Sequence, residues 1–174
     1  MKSSLFVSKL TVFIIVLLAS SAVAQDDLAR FKGGIGVIPV SSGVGSAATA
    51  EVVNCNIVRG VQPAGQIWVI SDLDATIKTN GDIKVDGRGL VLGGGNNTGR
   101  TTLQSVFATL ICEATAPFTE RSTDIAGVPL AANGDFKIDD VLTPIPPADC
   151  ASPMLLIRNS DGLAWFAAGI PELK

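Results

Sequence analysis

An Asn80-Gly81 dipeptide set between two alternating apolar runs constrains this chain more than any other feature. A two-residue turn there would place Ile77 opposite Lys84 and Lys78 opposite Ile83, mixing core and solvent on one face. A three-residue loop, Thr79-Asn80-Gly81, with a type I turn and a left-handed Gly81, shifts the pairing by one residue. Ile77 then faces Ile83, Ala75 faces Val85 and Leu73 faces Gly87, so that face is wholly apolar. On the other face Lys78 meets Asp82, Thr76 meets Lys84, Asp74 meets Asp86 and Asp72 meets Arg88. One register satisfies both faces, which commits this part of the chain to an antiparallel hairpin.

The rest of the chain follows suit. Short runs of Val, Ile, Leu and Phe alternate with clusters of Gly, Asn, Asp, Ser and Pro, and no long window shows a helical period. Strands are expected at roughly 34–40, 52–59, 66–78, 82–92, 104–113, 125–130, 135–140, 154–158 and 163–170, with loops up to about residue 33 and over 41–50. Ser46 to Glu51 has room for one helical turn. The expected fold is all-β: a β-sandwich or partly closed barrel of about nine short, mostly antiparallel strands. Met154–Arg158 and Leu163–Ile170 form the most apolar hairpin of the folded part, which places it centrally.

Asn80-Gly81-Asp82-Ile83-Lys84-Val85-Asp86 recurs as Asn133-Gly134-Asp135-Phe136-Lys137-Ile138-Asp139. Shared turn chemistry and internal duplication both account for this. The recurrence predicts a second hairpin with Leu130 opposite Phe136 and Val128 opposite Ile138, at a sheet edge because Pro129 cannot donate to a ladder. Farther along the first hairpin, Trp68 and Ile70 oppose Leu92 and Leu90, so both faces are apolar there and a second sheet or a loop must cover one of them.

Lys2 and Lys9, the apolar run Leu10–Leu18 and Ala22-Val23-Ala24 have the form of a secretory signal peptide over residues 1–24, cut between Ala24 and Gln25. At 1.5 Å per residue that run is too short for a hydrocarbon core of about 30 Å. Residues 25–174 then form a single all-β domain. The expected location is secreted or extracellular, with the periplasm or cell surface as variants. Disulfides form in such compartments. Of Cys55, Cys112 and Cys150, Cys55 falls on the apolar face of an alternating run and is read as the free thiol. Cys112 and Cys150 are paired, which stabilises by roughly 4 kcal/mol in the chain-entropy model. An intermolecular bond is the alternative.

Composition removes several chemistries. With no histidine there is no Ser-His-Asp or Cys-His unit and no histidine-bearing zinc site. A net charge of −3 argues against nucleic acid as a partner. Gly94-x-x-x-x-Gly99-Arg100-Thr101 nearly matches a phosphate loop, but it has Arg for Lys and no helix pattern follows, so it reads as a loop. Asn96-Asn97-Thr98 within it is a glycosylation sequon. Asp74 opposite Asp86, with Asp72 two residues away, is a weak candidate for a cation site, although Lys84 and Arg88 lie diagonally across. Asp139, Asp140 and Asp149 admit carboxylate-based hydrolysis in principle. Trp68 and Trp165 are either core residues or platforms for a sugar ring. No cofactor is implied.

Val58-Arg59-Gly60-Val61, Val85-Asp86-Gly87-Arg88-Gly89-Leu90, Ser105–Leu110, Gly134–Asp139, Leu156-Ile157-Arg158-Asn159 and Trp165–Ile170 resemble a group of secreted all-β proteins without an assigned activity. At the level of fold the chain is also similar to chordin-type (CHRD) extracellular domains, whose signature strands usually carry histidines that this chain lacks. None of these pieces is a catalytic signature, so the resemblance transfers no site residue. The expected function is a non-catalytic extracellular module, structural or binding a partner or glycan, without a membrane span. A small hydrolase using paired carboxylates and a calcium-dependent adhesion domain are the alternatives.

Overall fold

The computed structural model describes residues 26–39 and 56–172. The expected leader with its expected cleavage site at Ala24 and Gln25, the 41–50 segment and Cys55 lie outside the described residues. Eleven strands are present: β1 (Asp27–Gly36), β2 (Trp68–Val69), β3 (Asp72–Lys78), β4 (Asp82–Arg88), β5 (Val91–Leu92), β6 (Ser105–Ile111), β7 (Arg121–Ser122), β8 (Val128–Pro129), β9 (Phe136–Val141), β10 (Met154–Asn159) and β11 (Trp165–Pro171). They form one large antiparallel sheet in the order β7-β6-β10-β11-β1-β3-β4-β9, with β8 also on β6, and a small sheet of β2 and β5. The two ends of the large sheet meet where Ser122 and Thr143 exchange backbone hydrogen bonds of 2.9 and 2.8 Å. The sheet is therefore a nearly closed barrel.

The first hairpin has the register its faces demand, from Asp72↔Arg88 to Ile77↔Ile83, with Gly81 at φ +94°. Leu73, Ile77 and Ile83 are fully buried in the core with Phe31, Leu110 and Leu155. The C-terminal hairpin is central, with β10 on β6 and β11 on β1.

Four expectations need correction. First, β1 starts at Asp27 rather than near residue 34. Ala29 and Phe31 alternate inward, and Gly33 and Gly34 only shift the register toward β11 instead of marking a loop. Second, runs 66–78 and 82–92 each break, at Ile70-Ser71 and Gly89-Leu90, so their far ends form the separate β2–β5 flap. The cover comes from β11: Trp68 of the flap stacks on Phe166 with centroids 3.9 Å apart, and the Trp68 backbone N–H donates to Val37 O. Third, β7 had no strand-like signature, being two polar residues. Fourth, the second hairpin closes only at its tip, where Ala131 N donates to Asp135 O. Beyond that the arms part, because β8 pairs β6 and β9 pairs β4, so Val128 opposes Val106 and Ile138 opposes Val85.

The two recurring motifs nevertheless fold alike. In each, the aspartate N–H donates to the asparagine Oδ1 and the asparagine Nδ2 donates back to the carboxylate. Val85 and Ile138 hold the same place in the two copies and lie directly opposite each other, so a local two-fold axis passes between them. It relates two reciprocal ion pairs, Lys84–Asp139 and Lys137–Asp86. Each turn also docks on the other strand: Leu142 N donates to Gly81 O (2.9 Å) and Leu90 N to Gly134 O (3.0 Å). The copies are related in space as well as in sequence.

β6 and β10 are buried on both faces, so Thr109 and Arg158 are enclosed with their apolar neighbours. Arg158 lies over the Phe107 ring and bonds Glu120 (2.5 Å) and Leu163 O (2.9 Å). Nearby, Arg121 pairs with Glu113 at 2.9 Å, which lowers the Glu113 carboxyl from 4.5 to about 2. A depressed folded value contributes stability above the unfolded value and loses it as pH falls through the folded one. The stability gap between the parent and Glu113→Gln is therefore expected to be widest at neutral pH and to close between about 4.5 and 2, as followed by urea unfolding at stepped pH. A gap that does not change with pH contradicts the pairing.

Candidate functional site

The acidic candidates are neutralised by the protein's own cations. Asp74 and Asp86 do face each other. Asp86, however, bonds Lys137 of β9 and lies 3.6 Å from Arg88, while Asp74 lies 4.0 Å from Lys32 of β1. Asp72 accepts a hydrogen bond from Leu73 N at 2.9 Å. One hairpin considered alone shows the repulsion but not the lysines that neighbouring strands bring to it. Among the described residues no group of three His, Cys, Asp or Glu side chains is placed to hold a metal ion. Lys137 holds the Asp86 carboxyl below its usual range. Lys137→Met is expected to move the Asp86 titration upward in carboxyl NMR, and an unmoved titration would remove that ion pair from the account.

Two of the three hydrolytic candidates, Asp139 and Asp140, are also engaged. Asp139 pairs with Lys84 at 3.1 Å, and Asp140 accepts from Asp124 N and Val141 N. Asp149 is exposed in the loop before β10. Cys112 and Cys150 are joined, tying the end of β6 to the start of β10. Arg59 reinforces this junction by donating to Ile111 O (2.9 Å) and Ser152 O (2.6 Å). A disulfide there fits an oxidising compartment. Both tryptophans are buried, and the Trp165 indole N–H donates to Asn56 O. Residues 93–100 form a closed loop, with Leu92 N donating to Arg100 O and Gly99 N to Leu92 O. No helix among the described residues is long and apolar enough to cross a membrane.

Two clefts stand out. The larger, about 690 Å³, lies between the start of β1 and the end of β11 and borders both ends of the described chain. Its main charged groups satisfy each other, because Arg30 Nε and Nη2 both donate to Asp27 Oδ2. The smaller, about 320 Å³, lies at the barrel mouth between the flap and the β10–β11 turn. Trp68 and Phe166, stacked on each other, line it together with four carboxamide residues: Gln66, Asn97, Gln104 and Asn159. None of its lining residues is charged.

The fold fixes part of this set. Asn159 is only 8% exposed; its Oδ1 accepts from Ala164 N (2.9 Å) and its Nδ2 donates to Gln104 Oε1 (3.3 Å). Gln66 and Asn97 make no side-chain hydrogen bond among the described residues. Gln104 ends a turn whose central residues, Thr102 and Leu103, have φ of +50° and +59°, and Leu163, between the lining residues Gly162 and Ala164, has +55°. Non-glycine residues in this region cost roughly 1–2 kcal/mol each, and such strain gathers at binding sites. Of the five such residues in the described chain, Thr102 lines this cleft, and Leu103 and Leu163 are chain neighbours of lining residues. Spacing in the sequence gives no hint of the carboxamides, because four separate segments bring them together. No protein-family model, curated protein or solved structure matches the chain.

Proposed function

We propose that this chain is a secreted, non-catalytic extracellular module that binds an uncharged ligand in the carboxamide cleft at the barrel mouth. The observation that carries this reading is the lining itself: converging donors and acceptors with no titratable group among them. General acid–base or nucleophilic chemistry needs a group that exchanges protons near the working pH, and this cleft offers none. The leader-like sequence of residues 1–24, the Cys112–Cys150 disulfide and the likeness to secreted all-β proteins support the extracellular setting.

Thermal unfolding with a panel of uncharged small molecules tests the reading. Binding to the native state alone adds about 2.7 kcal/mol at a hundredfold excess over Kd. At least one compound is expected to raise the midpoint, and the shift is expected to vanish in Gln66→Ala/Asn97→Ala. A shift that survives in this variant places binding elsewhere and contradicts the proposal.

A further inference from the structure

We infer that the ligand of the barrel-mouth cleft is a neutral carbohydrate; this rests on the binding function proposed above. A charged ligand would surrender its hydration here without meeting an opposite charge, which is costly. An apolar ligand would displace water from the carboxamides of Gln66 and Asn97, which make no side-chain hydrogen bond among the described residues, at the desolvation cost of each group. The complement to this lining is an uncharged molecule dense in groups that donate and accept at once. Sugar hydroxyls do both, and a carboxamide answers with one acceptor oxygen and two donor hydrogens.

The geometry adds detail. Asn159 and Gln104 are bonded to each other and Asn159 is buried, so this pair is a rigid anchor whose remaining amide hydrogens are oriented before a ligand arrives. Gln66 precedes β2 and Asn97 follows β5, so the flap brings these two exposed carboxamides to the same cleft. Leu92, Ala64, Ala164, Trp68 and Phe166 supply the apolar part of the lining, which suits the C–H face of a pyranose. At about 320 Å³ the cleft sits at the lower end of the roughly 300–1,000 Å³ typical of small-molecule sites, which suits one or two sugar rings rather than a long chain.

Calorimetric titration of the secreted chain with three sets of probes tests this. The sets are neutral oligosaccharides (gluco-, xylo-, manno- and chito-oligomers), charged ones (oligogalacturonate and sulfated oligomers) and uncharged non-sugar amides and polyols. A neutral oligosaccharide is expected to bind with little dependence on salt or on pH near neutrality. Gln104→Ala and Asn97→Ala are each expected to weaken it by about tenfold. Asn97 lies in an exposed loop and its side chain makes no hydrogen bond among the described residues; the bond that its backbone carbonyl accepts from Arg100 N survives the substitution, so the variant is expected to melt like the parent. Non-sugar compounds binding in the cleft while no sugar does would overturn the carbohydrate assignment and leave the binding function standing. Salt-sensitive binding of the charged oligomers would overturn it too. If no probe of any set binds, both readings fall together.

Discussion

Gly134→Val is expected to lower stability by roughly 3–4 kcal/mol, well beyond the effect of Gly81→Val in the matching turn. Both glycines are left-handed, at φ +86° and +94°, and a β-branched residue in that region costs roughly 1–2 kcal/mol. The difference lies in what surrounds them. A Cβ on Gly134 would sit 2.5 Å from Leu90 N and 2.7 Å from Leu90 O, both backbone atoms that cannot turn aside. On Gly81 the nearest contact is Leu142 O at 3.3 Å. Valine at 134 therefore pushes its turn off β4 and endangers the Leu90–Gly134 bond and the bond from Gly89 N to Asp135. Chemical unfolding of the two variants side by side measures the gap. Equal losses would mean that the turn conformation alone matters and that the docking of each motif on the other strand contributes nothing.

Removing the disulfide with Cys112→Ala/Cys150→Ala is expected to cost about 4 kcal/mol, an upper figure from the entropy of a loop closed at a sequence separation of 38. For a domain of this size that corresponds to a fall in melting midpoint of roughly 8–16 °C. The effect resides mainly in the unfolded chain, because β6 and β10 stay paired over six residue pairs without the bond and Arg59 still spans their ends. Reductant is expected to destabilise the parent to the same extent and to leave the variant unchanged. Non-reducing peptide mapping that links Cys55 to either partner would contradict the pairing.

The β3–β4 hairpin was legible because its constraints are local: two faces, one turn and a single register that suits both. The same reasoning misjudged the second hairpin. Its tip obeys identical Asn-Gly-Asp chemistry, but the fate of its arms depends on β6 and β4, which lie far off in sequence. The expected strand begins at residue 34, whereas β1 begins at Asp27, because β3 pairs with Asp27–Lys32 and β11 with Phe31 and Gly34–Gly36 across an irregularity at Gly33, whose φ is +85°. The Asp74–Asp86 pair was placed correctly, yet its meaning depended on Lys32 and Lys137 from the flanking strands. The carboxamide cleft was the least visible feature. Asn97 belonged to a glycine-rich loop and Asn159 to a hairpin turn, and asparagine suits both positions for conformational reasons alone. Only closure of the barrel and folding of the flap place them around one space.

The most direct test of the account is amide-resolved NMR of the protein titrated with neutral oligosaccharides. Localised shifts at Gly65, Gln66, Asn97, Gln104, Asn159 and Ala164, together with the Trp68 indole and with the β3–β4–β9 surface unmoved, are the predicted result. Saturable shifts centred on that charged surface or on the cleft beside Arg30, with the barrel mouth silent, would contradict it.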